Sequence, residues 1–240
     1  MSTSQQRTLV WDLPTRTFHW LLAISFAGAY ATAESERLRD AHILLGYTAI
    51  GLVGFRLLWG VVGTRYARFT SFPLSRNALV GYLKSLLTLS PRHYFGHNPA
   101  GSWAILGILL LIVALGATGW AQAVEIGPEW LEDLHEGLAN AMLALAAVHV
   151  VAVLVSSGLH RENLVRAMVT GYKPGHGPGA SGTRWFVALL LTGVIGAFWA
   201  GAIPAPGIEP GRSLVQAAVK PGTLAAAERA RRQHGKDDDD

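Results

Sequence analysis

Cysteine is absent from all 240 residues. That excludes disulfides, iron–sulfur clusters, thiolate metal sites and a covalently attached c-type heme within this chain. Charge is also scarce: Asp, Glu, Lys and Arg make up 15% of residues, against about a quarter in an ordinary soluble domain. A soluble enzyme surface and a disordered chain are both excluded by that deficit. In their place, 50% of residues are hydrophobic, gathered into runs that approach or exceed the roughly 20 residues needed to cross a bilayer. The net charge of +4 therefore reports loop orientation in a membrane protein, and no nucleic-acid partner is expected.

Five hydrophobic segments stand out, at about 18–33, 43–63, 103–123, 138–159 and 185–203. Pro14 suits a first helical position, so the first and shortest segment can begin a turn earlier. Trp20, Trp59, Trp103, Trp120, Trp185 and Trp199 lie near segment ends, where indole rings favour the headgroup layer. Loop charge sets the topology. The 64–102 loop holds Arg65, Arg68, Arg76, Lys84 and Arg92 and no acid, whereas the 124–137 loop holds Glu125, Glu129, Glu132, Asp133 and Glu136 and no base. The positive-inside rule places the amino terminus, the 64–102 loop and the 160–184 loop in the cytoplasm, and the carboxyl terminus outside, in the periplasm. No cleavable signal peptide is visible. Within the basic loop, Leu74 to Leu89 reads as an amphipathic helix lying on the leaflet, with Ala78, Leu79, Tyr82, Leu83, Leu86 and Leu87 on one face. The tail after Ile203 is rich in proline, glycine and alanine and reads as flexible, ending in a Gly-Lys-Asp-Asp-Asp-Asp remnant without functional weight.

The chemistry lies in the histidines, because ionisable groups inside a membrane are costly and mark function. His19 sits near the inner start of the first helix and His42 near the outer start of the second; His135 and His149 share the fourth. No paired carboxylates, Ser-His-Asp set or zinc spacing accompanies them. The two histidines of the fourth helix are fourteen residues apart, about 1400° and some 40° short of four turns, so both point to one face about 21 Å apart. His42 is placed to pair with His135, and His19 with His149. Two imidazoles from opposing helices are what bis-histidine ligation of a b-type heme requires, with Gly46, Gly51 and Gly54 as candidates to make room for the porphyrin. Depth is the difficulty, since His149 lies about 16 Å inward of His160 while His19 is close to the inner surface; tilt and an early helix start must close the gap. Arg56 lies fourteen residues beyond His42, and two readings stay open: snorkelling to lipid phosphate, or pairing with a heme propionate. His93, His97 and His160 read as solvated loop residues, with His97 and His160 also able to border a quinone pocket.

The segments Val-Trp-Asp-Leu-Pro-Thr-Arg-Thr-Phe-His-Trp (10–20), Gly-Phe-Arg-Leu-Leu-Trp-Gly (54–60), Gly-His-Asn-Pro-Ala-Gly (96–101) and His-Arg-Glu-Asn-Leu-Val-Arg-Ala-Met-Val-Thr-Gly (160–171) resemble the prokaryotic cytochrome b561 family, which includes the cytochrome b subunits of nickel–iron hydrogenases. The order and spacing of these motifs over residues 7–175 carry the resemblance. It implies an all-α integral membrane protein: a four-helix transmembrane bundle holding two b hemes (residues 1–175), to which this chain adds a fifth transmembrane helix with its linker (176–203) and a flexible periplasmic tail (204–240). By the same resemblance His19, His42, His135 and His149 are the heme iron axial ligands; Arg56 is a candidate cofactor-binding residue on the propionate reading alone. The implied role is electron transfer, in the inner membrane, between a periplasmic c-type cytochrome or similar redox protein and quinone. Two alternatives are a superoxide:quinone oxidoreductase and a cytochrome b subunit anchoring a hydrogenase-type complex.

Overall fold

A computed structural model describes residues 7–88, 92–175 and 177–219. Helix α1 (Leu13–Thr32) starts at the early position that Pro14 favours. Asp12 caps it, its carboxylate accepting the Thr15 amide at 2.9 Å, so one of the unpaired donors of the first turn is satisfied. A 3₁₀ turn (Glu36–Leu38) leads into α2 (Arg39–Val62). Its buried face runs through Ala41, Leu44, Leu45, Thr48, Ala49, Leu52, Val53 and Arg56, the three- and four-residue spacing of a helix packed on one side. At Gly60 the Phe69 ring occupies the place where a Cβ would stand, so the following loop packs closely against this glycine.

Helix α3 (Arg76–Leu87) occupies the basic loop and exposes Val80, Leu83 and Leu87, as expected of an amphipathic surface helix, while Tyr82 turns inward; Leu89 lies outside the described residues. Asn98 and Pro99 open α4 (Pro99–Ala123), with the Asn98 side chain accepting the Gly101 amide at 2.7 Å. Helix α5 spans Trp130–His160, 31 residues or about 46 Å, well beyond the roughly 30 Å hydrocarbon thickness. Glu132, Asp133 and Glu136 therefore belong to a helix that begins earlier than its apolar run, where acidic groups suit the positive end of the helix dipole. Helices α6 (Leu164–Thr170), α7 (Trp185–Trp199) and α8 (Leu214–Val219) complete the chain.

Three helical stretches, Glu36–Val62, Pro99–Ala123 and Trp130–His160, are long and apolar enough to cross a membrane, and the 15-residue α7 is a shorter apolar helix. The chain is a membrane protein. Helices α1, α2, α4 and α5 pack in that order, with α7 against α1. Tyr30 of α1 donates to Asn140 of α5 at 2.9 Å across the bundle. The apolar centre joins Phe18 and Leu22, Leu52 and Val53, Leu109 and Ile112, Met142, and Leu191 and Ile195. Helix α5 buries only 6% of its most apolar window. Val148, Val151, Leu154 and Val155 point outward, towards lipid.

One end of the bundle, here the platform end, is tied by two short strands, β1 (Arg7–Leu9) and β2 (Tyr172–Pro174), which pair antiparallel with Thr8 opposite Lys173. The Val10 and Trp11 amides both donate to the Gly171 carbonyl. Gly171 itself has φ of 89°, and a Cβ there would meet the Trp11 carbonyl at 2.6 Å; only glycine fits. Not all tryptophans act as interfacial anchors: the Trp59 indole donates to Asp12 and the Trp199 indole to Thr48. At the opposite end the expected flexible tail divides. Residues 204–219 fold back as a strap, placing Ala217 against Ala41 and Leu44, because those apolar side chains are otherwise uncovered. Residues 220–240, with the Gly-Lys-Asp-Asp-Asp-Asp ending, lie outside the described residues.

Candidate functional site

The stripe that α5 turns into the bundle repeats every seven residues: His135, Met142, His149, Ser156. Seven residues are about 700°, some 20° short of two turns, so one narrow line carries all four. Met142 and Ser156 are the two buried residues of this helix. Both histidines thus lie on the face turned to the bundle. On α2, His42, Gly46 and Arg56 lie within about 40° of one line. Gly51 stands on the opposite side and Gly54 well off the line, and both are exposed, so of the three expected space-making glycines only Gly46 borders the site. Nothing stands within 4 Å of a Cβ built there.

At the strap end the rings of His42 and His135 meet edge-on, with centroids 6.1 Å apart and planes inclined at 70°. The His42 Nδ1–H donates to the Ala29 carbonyl at 2.8 Å; a carbonyl only accepts, so the proton is on Nδ1 and the Nε2 lone pair is free. Thr118 sets the same tautomer on His135. Its hydroxyl is committed to the Ala114 and Leu115 carbonyls of its own helix and accepts from His135 Nδ1–H at 2.8 Å. Gly119 makes that approach possible, since a Cβ there would stand 3.0 Å from His135 Cε1. Ala29 and Thr118 thus orient the two imidazoles and leave their Nε2 atoms free, the arrangement in which outer partners hold metal-binding histidines. Sequence reasoning passed over both, because a carbonyl and a threonine seventeen residues away carry no local signal.

At the platform end, His19 on α1 lies within electrostatic reach of His149, and its Nδ1 is buried without a partner. Arg56 is 2% exposed. It reaches neither water nor lipid phosphate, so the snorkelling reading fails. Its guanidinium carbon sits 4.7 Å from the Phe69 ring centre and 5.8 Å from that of Phe72, and its Nη1 has no partner. Asp12, within electrostatic range of Arg56, already accepts from Thr15, Trp59 and Thr64 at 2.9, 3.0 and 2.7 Å. Asp12 pins α1 to the end of α2, a role whose only sequence sign was its place before Leu-Pro.

His97 packs between Trp11 and Phe72, with ring separations of 4.6 and 4.5 Å. Burial, then the nearby Arg56, Lys173 and His149, push its imidazole down to about 3, so it is neutral at ordinary pH. His160 has different neighbours, the Ser156 carbonyl and the His93 ring, so the two histidines expected to border one quinone pocket make separate contacts. Lys173 is buried on β2 beside Glu162 at 3.5 Å. Burial pulls its ammonium below the usual lysine range despite the opposing carboxylate.

Among the described residues, no three His, Cys, Asp or Glu side chains gather to hold a bare metal ion. A metal held by two imidazoles alone would need a cofactor to bring its remaining ligands. Two imidazoles bound on opposite sides of one iron, at about 2.0 Å per bond, hold their ring centres about 6 Å apart. The His42–His135 separation, the two free Nε2 atoms, the open cradle at Gly46 and the buried unpartnered Arg56 Nη1 all fit heme b.

A membrane-embedded helical bundle with inward-facing histidines on a heptad line belongs to the class of b-type membrane cytochromes. The chain belongs to the prokaryotic cytochrome b561 family, which matches over residues 10–171. It is similar to the probable Ni/Fe-hydrogenase B-type cytochrome subunit of Cupriavidus necator, at 26% identity over 217 residues, covering 71% of this chain and 88% of that one. A protein of the same description from Azotobacter vinelandii is 28% identical over 221 residues, covering 70% and 89%. No solved structure matches the chain.

Proposed function

We propose that the chain is a diheme electron-transfer cytochrome, its bundle formed by α1, α2, α4 and α5 with α7 as a fifth span. His42 and His135 hold one heme near the periplasmic side and His19 and His149 the other near the cytoplasm. The heme-bearing unit is residues 1–175, and the basic α3 loop sets the inner face. Heme b, when bound, would be held by these paired imidazoles and would supply the one-electron couple. The chain's own residues do the rest. Ala29 and Thr118 hold the ligand tautomers, Arg56 offers bidentate donors to a propionate, and the lipid-facing shell excludes water. The single observation that carries the reading is the His42–His135 pair, 6.1 Å apart with both Nδ1 atoms engaged.

Electrons would pass between a periplasmic redox protein and quinone at the cytoplasmic side. The relatives' description favours a particular version, in which the periplasmic partner is a hydrogenase-type complex and this chain its membrane cytochrome. The acidic first turns of α5 suit a partner with basic surface. Heme content tests the assignment. His135→Ala and His149→Ala are each expected to leave about half the pyridine hemochrome of the wild-type chain, one iron of two per polypeptide. Unchanged content in either variant refutes the ligand set.

A further inference from the structure

The strap lies beyond residue 171, outside the region the family matches, yet it is built against the His42 end of the bundle. Glycines let it lie close: a Cβ at Gly207, φ 74°, would meet the Ala123 carbonyl at 2.6 Å, and one at Gly201 would meet the Gly211 carbonyl at 2.5 Å. Ser213 and Gln216 then exchange hydrogen bonds, the Gln216 amide donating to Ser213 Oγ at 3.2 Å and the Ser213 amide to Gln216 Oε1 at 3.0 Å. That reciprocal cap starts α8 where Ala217, fully buried, sits on Ala41 and Leu44. Arg37 donates to the Val219 carbonyl at 3.1 Å.

The charged link matters most. Arg212 Nε lies 2.6 Å from Asp40 Oδ2, and both side chains are about nine-tenths buried. Asp40 is in the first turn of α2, two residues before His42. A buried ion pair adds little net stability over an apolar contact, but removing one partner strands the other charge and is strongly destabilising. The strap thus touches the first turn of α2 through Arg212 and Ala217, and the same turn carries His42, whose Nδ1–H donates to the Ala29 carbonyl.

Resting on the heme reading above, we propose that Arg212 is a positioning residue for the His42–His135 site, acting through Asp40 to hold the first turn of α2. The strap it anchors closes that end of the bundle. The test uses the full-length chain in detergent, compared as wild type, Arg212→Gln, Arg212→Lys and His42→Ala. Redox titration followed by heme absorbance is one readout. Labelling of Ala217→Cys by a maleimide, with no other cysteine in the chain, is the second. Arg212→Gln is expected to move or remove one of two heme waves and leave the other in place. It should also raise the Ala217→Cys labelling rate by about tenfold or more, as the strap opens more often. Arg212→Lys should recover most of both effects and guards against a misfolded Gln variant. Waves and labelling both unmoved by Arg212→Gln, or two waves shifted together, overturn the proposal. If His42→Ala retains full heme, the heme reading itself fails and the positioning role falls with it. If His42→Ala loses heme while Arg212→Gln leaves both waves in place, only the positioning role fails.

Discussion

Thr118→Val removes one hydroxyl and nothing else of consequence, and its effect follows from the geometry. The side chain is 8% exposed, valine has nearly the same shape, and the single cross-helix bond lost is the 2.8 Å contact with His135 Nδ1–H. A buried donor left without its acceptor costs about 1–3 kcal/mol. An acceptor on Nδ1–H also makes the imidazole a better electron donor through Nε2, which favours the ferric state. Its removal therefore shifts the potential of the His42–His135 heme upward. If about a third to two-thirds of a ~1 kcal/mol hydrogen bond is lost selectively from the ferric form, the shift is about 15–30 mV at 59 mV per tenfold change. Spectroelectrochemical titration of the purified variant would show one wave displaced upward and the other stationary, and Thr118→Ser would return it. An outer wave that stays in place, moves downward, or moves together with its neighbour refutes the assignment of His135 Nδ1–H as donor and Nε2 as ligand.

Gly119→Ala should cost the His42–His135 heme far more than Thr118→Val does, because the new methyl would stand 3.0 Å from His135 Cε1; full hemochrome content would contradict it. Arg56→Gln should keep both hemes but lower the potential of the His19–His149 heme by about 50 mV, since a buried positive charge that favours the reduced state is lost. Titration would show it, and an unmoved inner wave would sink the propionate contact. Asp12→Ala should lower stability by about 3 kcal/mol, stranding the Trp59 and Thr64 donors and uncapping α1, measured by thermal unfolding in detergent. His97 supplies a pH dependence. Its folded imidazole titrates at about 3 against an unfolded value near 6.5, so below that pH the unfolded chain binds the extra proton. Stability should be flat above about pH 6.5 and fall on acidification by about 2 kcal/mol at pH 5. His97→Phe should flatten that slope, and an identical slope in the variant would refute the burial argument.

Membrane class, the helical segments and the identity of the four inward histidines were legible in the linear chain, since hydropathy and the 3.6-residue period act locally. Spacing alone put His135 and His149 on one face, and the Pro14 signal moved the first helix start to where it lies. What the chain could not disclose is anything set by contact between distant segments. Gly51 and Gly54 looked equivalent to Gly46 until the packed face of α2 was known. Arg56 was undecided between lipid and interior until folding buried it, because snorkelling depends on what surrounds a side chain and not on its neighbours in sequence. The acidic stretch before the fourth apolar run became helix, since a helix continues past the bilayer wherever its dipole and backbone bonds are satisfied. The strap shows the same division most clearly. Its composition predicts flexibility, but Ala41, Leu44 and Asp40, at least 168 residues from Arg212, present an apolar patch and a carboxylate that only the assembled bundle brings into its reach.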